Sequence, residues 1–257
     1  MSLVISKVFT YDTDAGNYIQ AVEAADGQAL EAGTRQAINN FVIGCKQDGI
    51  WSAIKASCIL AGARTLNGAL IPLVGTAPTN VGGLFTSGDY TRKTGLVGNG
   101  STKRLNSNRA GNADPINNVH ASVYVTTIPS TLFTALIGNE NDVSGSTNIG
   151  TTSPASSYFF RCQTSSASVR SDGFTGLAGV SRNNSANYVT RASAVNQTVT
   201  AVSQSPPSTA TSIFAFTSGS NYTNARLAFY SIGESLDLAL LDARVTALIT
   251  AFGVAIP

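Results

Sequence analysis

The chain has 257 residues, enough for one large domain or two small ones with a buried core. Only 12% of its residues are charged, against roughly 25% in an average soluble protein, and the formal net charge is +2. This composition excludes a charged helical bundle or a coiled coil. A hydrophobic content of 43% argues against disorder, and the near-neutral charge argues against general nucleic-acid binding.

The amino terminus and the cysteines carry no signal for export or for a disulfide framework. Residues 1–7 lack the basic and the long apolar segments of a signal peptide. The apolar stretch 56–63 is far shorter than the roughly 20 residues that a membrane span needs. We therefore expect a soluble protein without membrane insertion. The cysteines form an odd set with no C-x-x-C pair, so we expect free, buried thiols at Cys45, Cys58 and Cys162.

Helical spacing of apolar residues predicts three short helices in the first 70 residues. The first follows Asp14 as its cap, and the second runs from Glu31 to about Asp48. The third covers 51–58, where apolar residues recur at i, i+3 and i+7. Each of these helices is too short to be stable alone in water. We therefore predict that residues 1–75 form a helical subdomain that docks on the rest of the chain or on a neighbouring subunit.

Proline and glycine punctuate residues 72–83, which marks a boundary. Beyond it, short segments of strand composition alternate with turns rich in Gly, Asn and Ser. These segments are 120–126, 157–161, 198–202, 212–216 and 226–231. In the last one, alternation places Leu227, Phe229 and Ser231 on one face. Many short strands without intervening helical patterns predict an antiparallel sandwich, jelly roll or barrel.

The end of the chain returns to helical spacing. Ser235 is the predicted N-cap of a helix at about 235–252, with an apolar stripe formed by Leu238, Leu241, Val245, Leu248 and Phe252. Asp242 and Thr246 lie away from that stripe, so we expect both to be solvated. The second predicted unit is therefore a β-sandwich with a trailing helix, covering residues 84–257.

Residues that could carry catalysis are few. His120 is the single histidine, and no Cys or carboxylate is spaced to complete a metal site with it, which favours a structural imidazole. Glu140 and Asp142 begin like the paired carboxylates of jelly-roll glucanases, but Gly145 stands where a second Glu is needed. A calcium site at Asp142 is chemically possible, although no Asp-rich loop spacing supports it. We therefore expect no enzymatic activity, no cofactor and no bound metal.

Two groups of residues are candidates for binding. Tyrosines near predicted turns can stack on sugar rings, or else pack half-buried in the core. They are Tyr90, Tyr158, Tyr188 and Tyr222. Basic residues cluster once along the chain and could face an anionic partner, or else form a solvated hairpin face. They are Arg92, Lys93, Lys103, Arg104 and Arg109.

Several segments resemble a known family in their order along the chain. Residues 94–105, 120–126, 179–190 and 226–233, the last followed by a helix, resemble successive strands of concanavalin-A-like, laminin-G-like modules. That ending is combined with a head containing Asp-Gly-Gln-Ala-Leu-Glu and Gly-Ile-Trp-Ser-Ala-Ile-Lys. The combination is similar to virion structural proteins of tailed bacteriophages and prophages.

The resemblance implies a mainly-β fold, an antiparallel two-sheet jelly-roll sandwich with helices at both ends. In many relatives the concave sheet binds glycans and often calcium, but no calcium cluster is evident in this sequence. The resemblance further implies a non-enzymatic tail-fibre, baseplate or capsid-surface component located in the virion. Its implied partners are other virion proteins, further copies of itself (a trimer, by analogy with fibres) and a host-surface glycan. A carbohydrate-binding adhesin module is the alternative, and a glycan hydrolase is less favoured.

Overall fold

The computed structural model describes residues 10–139, 143–152, 157–171 and 175–257. The helices in these ranges are α1 (Thr13–Asp26), α2 (Ala32–Gln47), α3 (Leu66–Ala69) and α4 (Leu238–Ala255). The strands are β1 (Ile54–Ile59), β2 (Pro72–Val74), β3 (Thr79–Asn80), β4 (Tyr90–Thr91), β5 (Gly95–Val97), β6 (Leu105–Ala110), β7 (Val119–Thr127), β8 (Ala135–Gly138), β9 (Asn148–Thr151), β10 (Tyr158–Arg161), β11 (Ser168–Arg170), β12 (Gly176–Arg182), β13 (Asn187–Ala192), β14 (Val195–Thr200), β15 (Ala210–Ile213) and β16 (Arg226–Gly233).

The strands form two antiparallel sheets. The first has nine strands in the order β14-β13-β12-β7-β16-β1-β2, with β5 also paired to β16 and β4 paired to β5. The second has seven strands in the order β11-β10-β9-β8-β15-β6-β3. Several sheet neighbours are far apart in the chain, such as β7 with β16 and β8 with β15, so the chain crosses over between the two sheets as in a jelly roll. The predicted mainly-β, two-sheet sandwich with helices at both ends is confirmed.

Two apolar layers hold the molecule together. The first lies between the sheets, where Val123 and Tyr230 of the nine-stranded sheet meet Ile149 and Phe160 of the seven-stranded sheet. The second lies between the nine-stranded sheet and helices α1, α2 and α4. There the ring of Phe41 contacts that of Phe229 edge-on, with centroids 5.8 Å apart. The nine-stranded sheet is therefore covered on both faces, and the outer face of the seven-stranded sheet is the open one.

The predicted third helix at 51–58 is wrong. A short 3-10 turn occupies Trp51–Ala53, and β1 follows it, paired with β16 on one side and β2 on the other. A short apolar segment fits either a buried strand or a buried helix by its periodicity alone. In the structure Ala56 and Cys58 join the core between the sheets, while Ile59 joins the layer under the helices. The helical head thus contributes strands to the sheet, and its role in assembly stays a prediction.

The remaining elements match the predictions with shifted ends. Helix α1 is capped by Asp12, whose carboxylate accepts the Asp14 N–H. Helix α4 begins after Asp237, whose carboxylate accepts the Ala239 and Leu240 N–H groups, whereas the N–H and the hydroxyl of the predicted cap Ser235 both donate to Asn118. The apolar stripe of α4 is buried as predicted. Asp242 is not solvated as expected, since it is buried and its Oδ2 lies 2.7 Å from Nε of Arg191.

A bulge breaks the predicted alternation in the last strand. The register of β16 against β7 shifts around Leu227 and before Phe229. Leu227 therefore joins Tyr230 in the core between the sheets, whereas Phe229 faces the helices. One extra residue in a strand is enough to move a side chain to the other face.

Two further sequence expectations concern the cysteine thiols and the length of apolar segments. All three cysteines are free and buried, as predicted, and burial raises the pKa of Cys45 and Cys162 to about 12. Helix α4 is long and apolar enough, by length and composition, to cross a membrane, with a mean hydropathy of 1.7. Its stripe packs in the layer under the nine-stranded sheet, as the core helix of a globular protein does.

Candidate functional site

The lone histidine is part of the fold. His120 is fully buried on β7, with Nε2 2.7 Å from the Ser231 hydroxyl and Nδ1 2.5 Å from the Glu234 carbonyl oxygen. Burial lowers its pKa to about 4, so the ring is neutral at physiological pH. Among the described residues no cluster of His, Cys, Asp or Glu is placed to hold a metal. Glu140 and Asp142 lie outside the described residues.

The four candidate tyrosines do not form one surface. Tyr158 and Tyr188 are only 2% and 1% exposed, and the Tyr188 hydroxyl donates to the Phe160 carbonyl. Alternation in β10 and β13 turns both rings into the core, so neither is available to stack on a sugar. Tyr90 is half-buried with its hydroxyl bonded to the Ala63 carbonyl, and Tyr222 is half-buried near Gly219. Sugar binding at Tyr90 and Tyr222 stays a prediction.

The five basic residues are engaged at separate places. Arg92 makes a two-pronged ion pair with Glu31 of the helical head, and Lys103 contacts both oxygens of Asp89 at 2.6 Å. Arg109 pairs with Asp114. Arg104 donates to the Thr217 carbonyl at 3.0 Å, and Lys93 is half-buried at the turn between β4 and β5. Three of the five charges are therefore balanced locally, which weakens the field that they could present together.

A different group of residues forms a recess of about 250 Å³ on the open face of the seven-stranded sheet. We call it the aromatic pocket, and it is lined by Phe133, Thr152, Phe159, Arg161, Ala167, Val169, Phe216 and Asn221. Val169 and Phe133 are 56% and 58% exposed, and Leu132 beside Phe133 is 49% exposed. Large apolar side chains that stay this exposed in one neighbourhood are typical of a recognition site.

The base of the aromatic pocket is built by strand register. Phe159 of β10 pairs across the sheet with Gly150 of β9 and with Val169 of β11. Because Gly150 has no side chain, the Phe159 ring lies over it; a Cβ there would come within 2.5 Å of the ring. Phe216 lies 6.4 Å from Phe159, and the Arg161 guanidinium sits 5.9 Å from the Phe159 centroid. The result is a half-buried Phe159 ring over Gly150, with the buried Phe216 ring and the Arg161 cation beside it.

The wall of the pocket is an exposed ring in an unusual backbone conformation. Phe133 has a φ of 53°, in the left-handed region that a bulky residue seldom adopts. Asn221, itself at φ 54°, holds it there: its side chain donates to the Phe133 carbonyl, and its own carbonyl accepts the Ala135 N–H, both at 2.7 Å. Asn224 fixes the preceding turn through two hydrogen bonds to Ser130. The hydrogen bonds of Asn221 and Asn224 therefore hold the Phe133 ring in its solvent-exposed position.

Part of this site could have been found from the sequence. Alternation through 157–161 turns Phe159 to the face opposite Tyr158 and Phe160, which is a usable signal. Phe133 lies in a connection between strands, and nothing in its local sequence indicates a positive φ. The candidate tyrosines occur near turns, whereas the exposed ring of this site is Phe133.

The structure belongs to the class of two-sheet jelly-roll sandwiches with an open sheet face. No family model matches the sequence, and no curated protein matches it. Among solved structures the chain is similar to the botulinum neurotoxin serotype D binding domain, with a TM-score of 0.51 and 12% identity over 76% of this chain and 51% of that one. It is also similar to domains LG4-5 of the mouse laminin α1 chain, with a TM-score of 0.37 and 10% identity over 56% and 41%. The chain thus spans about half the length of the toxin domain, and the likeness shows the fold alone.

Proposed function

We propose that the protein is a non-catalytic recognition module that binds a saccharide through the aromatic pocket. The observation that carries this proposal is the exposed Phe133 ring, held at positive φ by Asn221 beside Phe159. The C–H face of a pyranose packs against such rings, while polar groups such as Thr152 and Asn221 lie at the pocket's lining to meet hydroxyl groups. The toxin domain with the same fold is described as a binding domain, which supports a binding role.

A glycan array followed by calorimetry tests this function. The full chain binds a subset of immobilised glycans, and Phe133→Ala weakens binding to the best of them by about 30-fold, the effect of removing a central aromatic contact. Val202→Ser is the matched control, because Val202 is 73% exposed and lies outside the pocket. An array without specific binding, or equal affinity in Phe133→Ala and the wild type, contradicts the proposal.

We further propose that the module is displayed on a tailed-phage virion, as a homo-oligomer assembled with other virion proteins, and contacts a host-surface glycan. The support is the similarity of the head segments at 26–31 and 49–55, and of the ending at 226–233, to phage virion proteins. Mass spectrometry of purified particles tests the location, and light scattering of the full chain tests the trimer. Absence of the chain from particles contradicts the virion role, and a monomer contradicts self-assembly.

A further inference from the structure

A second recess of about 420 Å³ lies on the other sheet. It opens where the turn between β12 and β13 meets edge strand β14 and the start of α4. We call it the polar cleft and define it by Asn183, Asn187, Asn196, Asp237, Val189 and Leu238. It shares no lining residue with the aromatic pocket. Its volume falls within the roughly 300–1,000 Å³ of small-molecule sites.

A buried arginine fixes the turn that carries two of these asparagines. Arg182 is fully buried, and its guanidinium donates to the carbonyl oxygens of Cys162 at 2.8 Å, Asn184 at 3.1 Å and Ala201 at 2.9 Å. A guanidinium has five N–H donors in a rigid plane, so several carbonyls at once define one backbone conformation. The turn is therefore preorganised before any ligand arrives.

Backbone N–H groups fix the orientation of the Asn183 and Asn187 side-chain amides through Asn184. The Oδ1 atom of Asn184 accepts the N–H groups of Ala186 and Asn187, at 2.9 and 3.0 Å. A backbone N–H can only donate, so Nδ2 of Asn184 points the other way. It donates to Oδ1 of Asn183 and of Asn187, at 2.9 and 3.0 Å. The amide oxygens of both cleft residues are thereby used, and each keeps its NH₂ group for a ligand.

The third amide is oriented by a cation. Nη1 of Arg191 donates to Oδ1 of Asn196 at 2.9 Å, and Nε of Arg191 is held by Asp242 at 2.7 Å. Because an arginine has no acceptor, Asn196 must present its oxygen to Arg191 and its NH₂ group away from it. The remaining polar group is Asp237, whose Oδ1 accepts the Ala239 N–H at 2.7 Å as the cap of α4. Its Oδ2 takes no hydrogen bond from the described residues.

From this geometry we infer that the polar cleft is a second saccharide site, one that recognises neutral sugars through hydrogen bonds. Three NH₂ donors and one carboxylate acceptor complement neighbouring hydroxyl groups, each of which accepts one hydrogen bond and donates another. Val189, which is half-buried, supplies an apolar surface for the C–H groups of the ring. An anionic ligand is disfavoured, because the Asp237 carboxylate would repel it.

The inference goes beyond the proposed function, since it gives one chain two sites on different sheets with different chemistry. Two weak sites on one molecule engage a surface bearing many glycans with an avidity that exceeds either affinity by about 10²–10⁴-fold, provided that both can be reached together. A module with one aromatic and one hydrogen-bonding site is therefore suited to dense glycan surfaces rather than to free sugars.

Solution NMR of the full chain tests the polar cleft directly. The probes are the methyl glycosides of glucose, mannose, galactose and N-acetylglucosamine, and the observed signals are the side-chain NH₂ groups of Asn183, Asn187 and Asn196. We expect at least one probe to shift these signals in a saturable manner. Phe133→Ala leaves that titration unchanged, so a failure of the aromatic pocket and a failure of the cleft are distinguishable.

Isosteric variants then test the polarity of the site. Asn183→Asp and Asn196→Asp keep the oxygen that meets Asn184 or Arg191 and convert the ligand-facing donor into an acceptor. Each weakens binding of the titrating glycoside by about tenfold or more, the effect of losing one hydrogen bond to a ligand. Asn40→Asp on the exposed side of α2 makes the same change of charge outside the cleft and leaves binding unaltered. No shift with any probe, or equal affinity in the cleft variants, overturns the inference.

Discussion

The two sheet faces that point away from the sandwich core differ in where their polar and apolar side chains lie. On the helix-covered face of the nine-stranded sheet, Ser57, Ser231 and Ser122 pair in register across β1, β16 and β7, and His120 bonds to Ser231. All four are buried. On the open face of the seven-stranded sheet, Phe133 and Val169 are more than half exposed. A polar cluster inside an otherwise apolar layer and an exposed aromatic ring outside depart from the usual distribution at these two places.

This contrast assigns the helix-covered face to the fold and, under the proposed function, the open face to recognition. On the covered face His120 bonds to Ser231 and to the Glu234 carbonyl, while the buried hydroxyls of Ser57 and Ser122 have no hydrogen-bond partner among the described residues. On the open face the Phe133 ring is 58% exposed, and under the proposed function a saccharide covers it. The proposed function therefore rests on an exposed aromatic ring and not on a buried titratable group.

Matched truncations of two phenylalanines give the largest contrast. Phe41→Ala empties a fully packed site between α2 and Phe229, so the free energy of unfolding falls by about 3–5 kcal/mol. Phe133→Ala removes an exposed ring in a strained conformation and changes it by less than about 0.5 kcal/mol. Urea unfolding followed by circular dichroism measures both. Similar losses in the two variants would show that Phe133 belongs to the core and would remove the contrast.

Acid pH tests the buried histidine. The pKa of His120 is lowered to about 4 by burial, so the unfolded chain takes up a proton between pH 6.5 and 4 that the folded chain does not. The contribution of His120 to the free energy of unfolding is therefore constant above pH 6.5 and falls by about 3 kcal/mol as the pH drops to 4.

Replacement of the histidine isolates this effect, because the chain contains no other. His120→Gln is less stable at pH 7, since the hydrogen bonds to Ser231 and Glu234 are disturbed. Its free energy of unfolding no longer changes between pH 6.5 and 5, above the range where carboxylates titrate. A slope that persists in the variant would assign the acid sensitivity to another group.

Sequence patterns predicted the buried apolar stripe of helix α4 better than they predicted the segment at 54–59 or the bulge in β16. The stripe Leu238, Leu241, Val245, Leu248 and Phe252 is buried as expected, because helical periodicity reports burial directly. The segment at 54–59 was misassigned, because a short apolar segment satisfies either a helix or a central strand. The bulge at Leu227 could not be predicted, since one extra residue does not change the composition of the strand.

The candidate sites depended on long-range contacts that a single sequence does not show. Phe159 could be placed outward by alternation, but the glycine beneath it lies on another strand. Asn221 and Phe133 are 88 residues apart, and only the fold brings the Asn221 side chain to the Phe133 carbonyl. The basic cluster looked continuous because Glu31, which balances Arg92, is 61 residues away from it in the sequence. Asp114, by contrast, is close to Arg109 in the sequence as well as in the fold.

The pairing of Glu31 gives a smaller effect in a different pH range. The hydrogen-bonded Arg92 guanidinium lowers the pKa of this partly exposed carboxyl to about 2, so its stabilisation is present above pH 4.5 and is lost as the pH falls towards 2. Glu31→Gln lowers the free energy of unfolding by about 1–2 kcal/mol at pH 7, allowing for solvent screening, and flattens the change below pH 4.5. Denaturant unfolding at pH 7, 4.5 and 3 measures it. An equal loss at all three values would assign the effect to packing instead.

The smallest expected effect concerns Lys93. Its neighbours Arg92, Lys103 and Arg109 are engaged with Glu31, Asp89 and Asp114, so removal of one further charge does not dismantle an anion-binding surface. Lys93→Gln changes the free energy of unfolding by less than about 0.5 kcal/mol. It also elutes from a heparin column at the same salt concentration as the wild type, because little attraction is present to lose. Earlier elution of the variant would indicate that the basic residues do form an anion-binding surface. It would favour that surface over the open aromatic face as the recognition site.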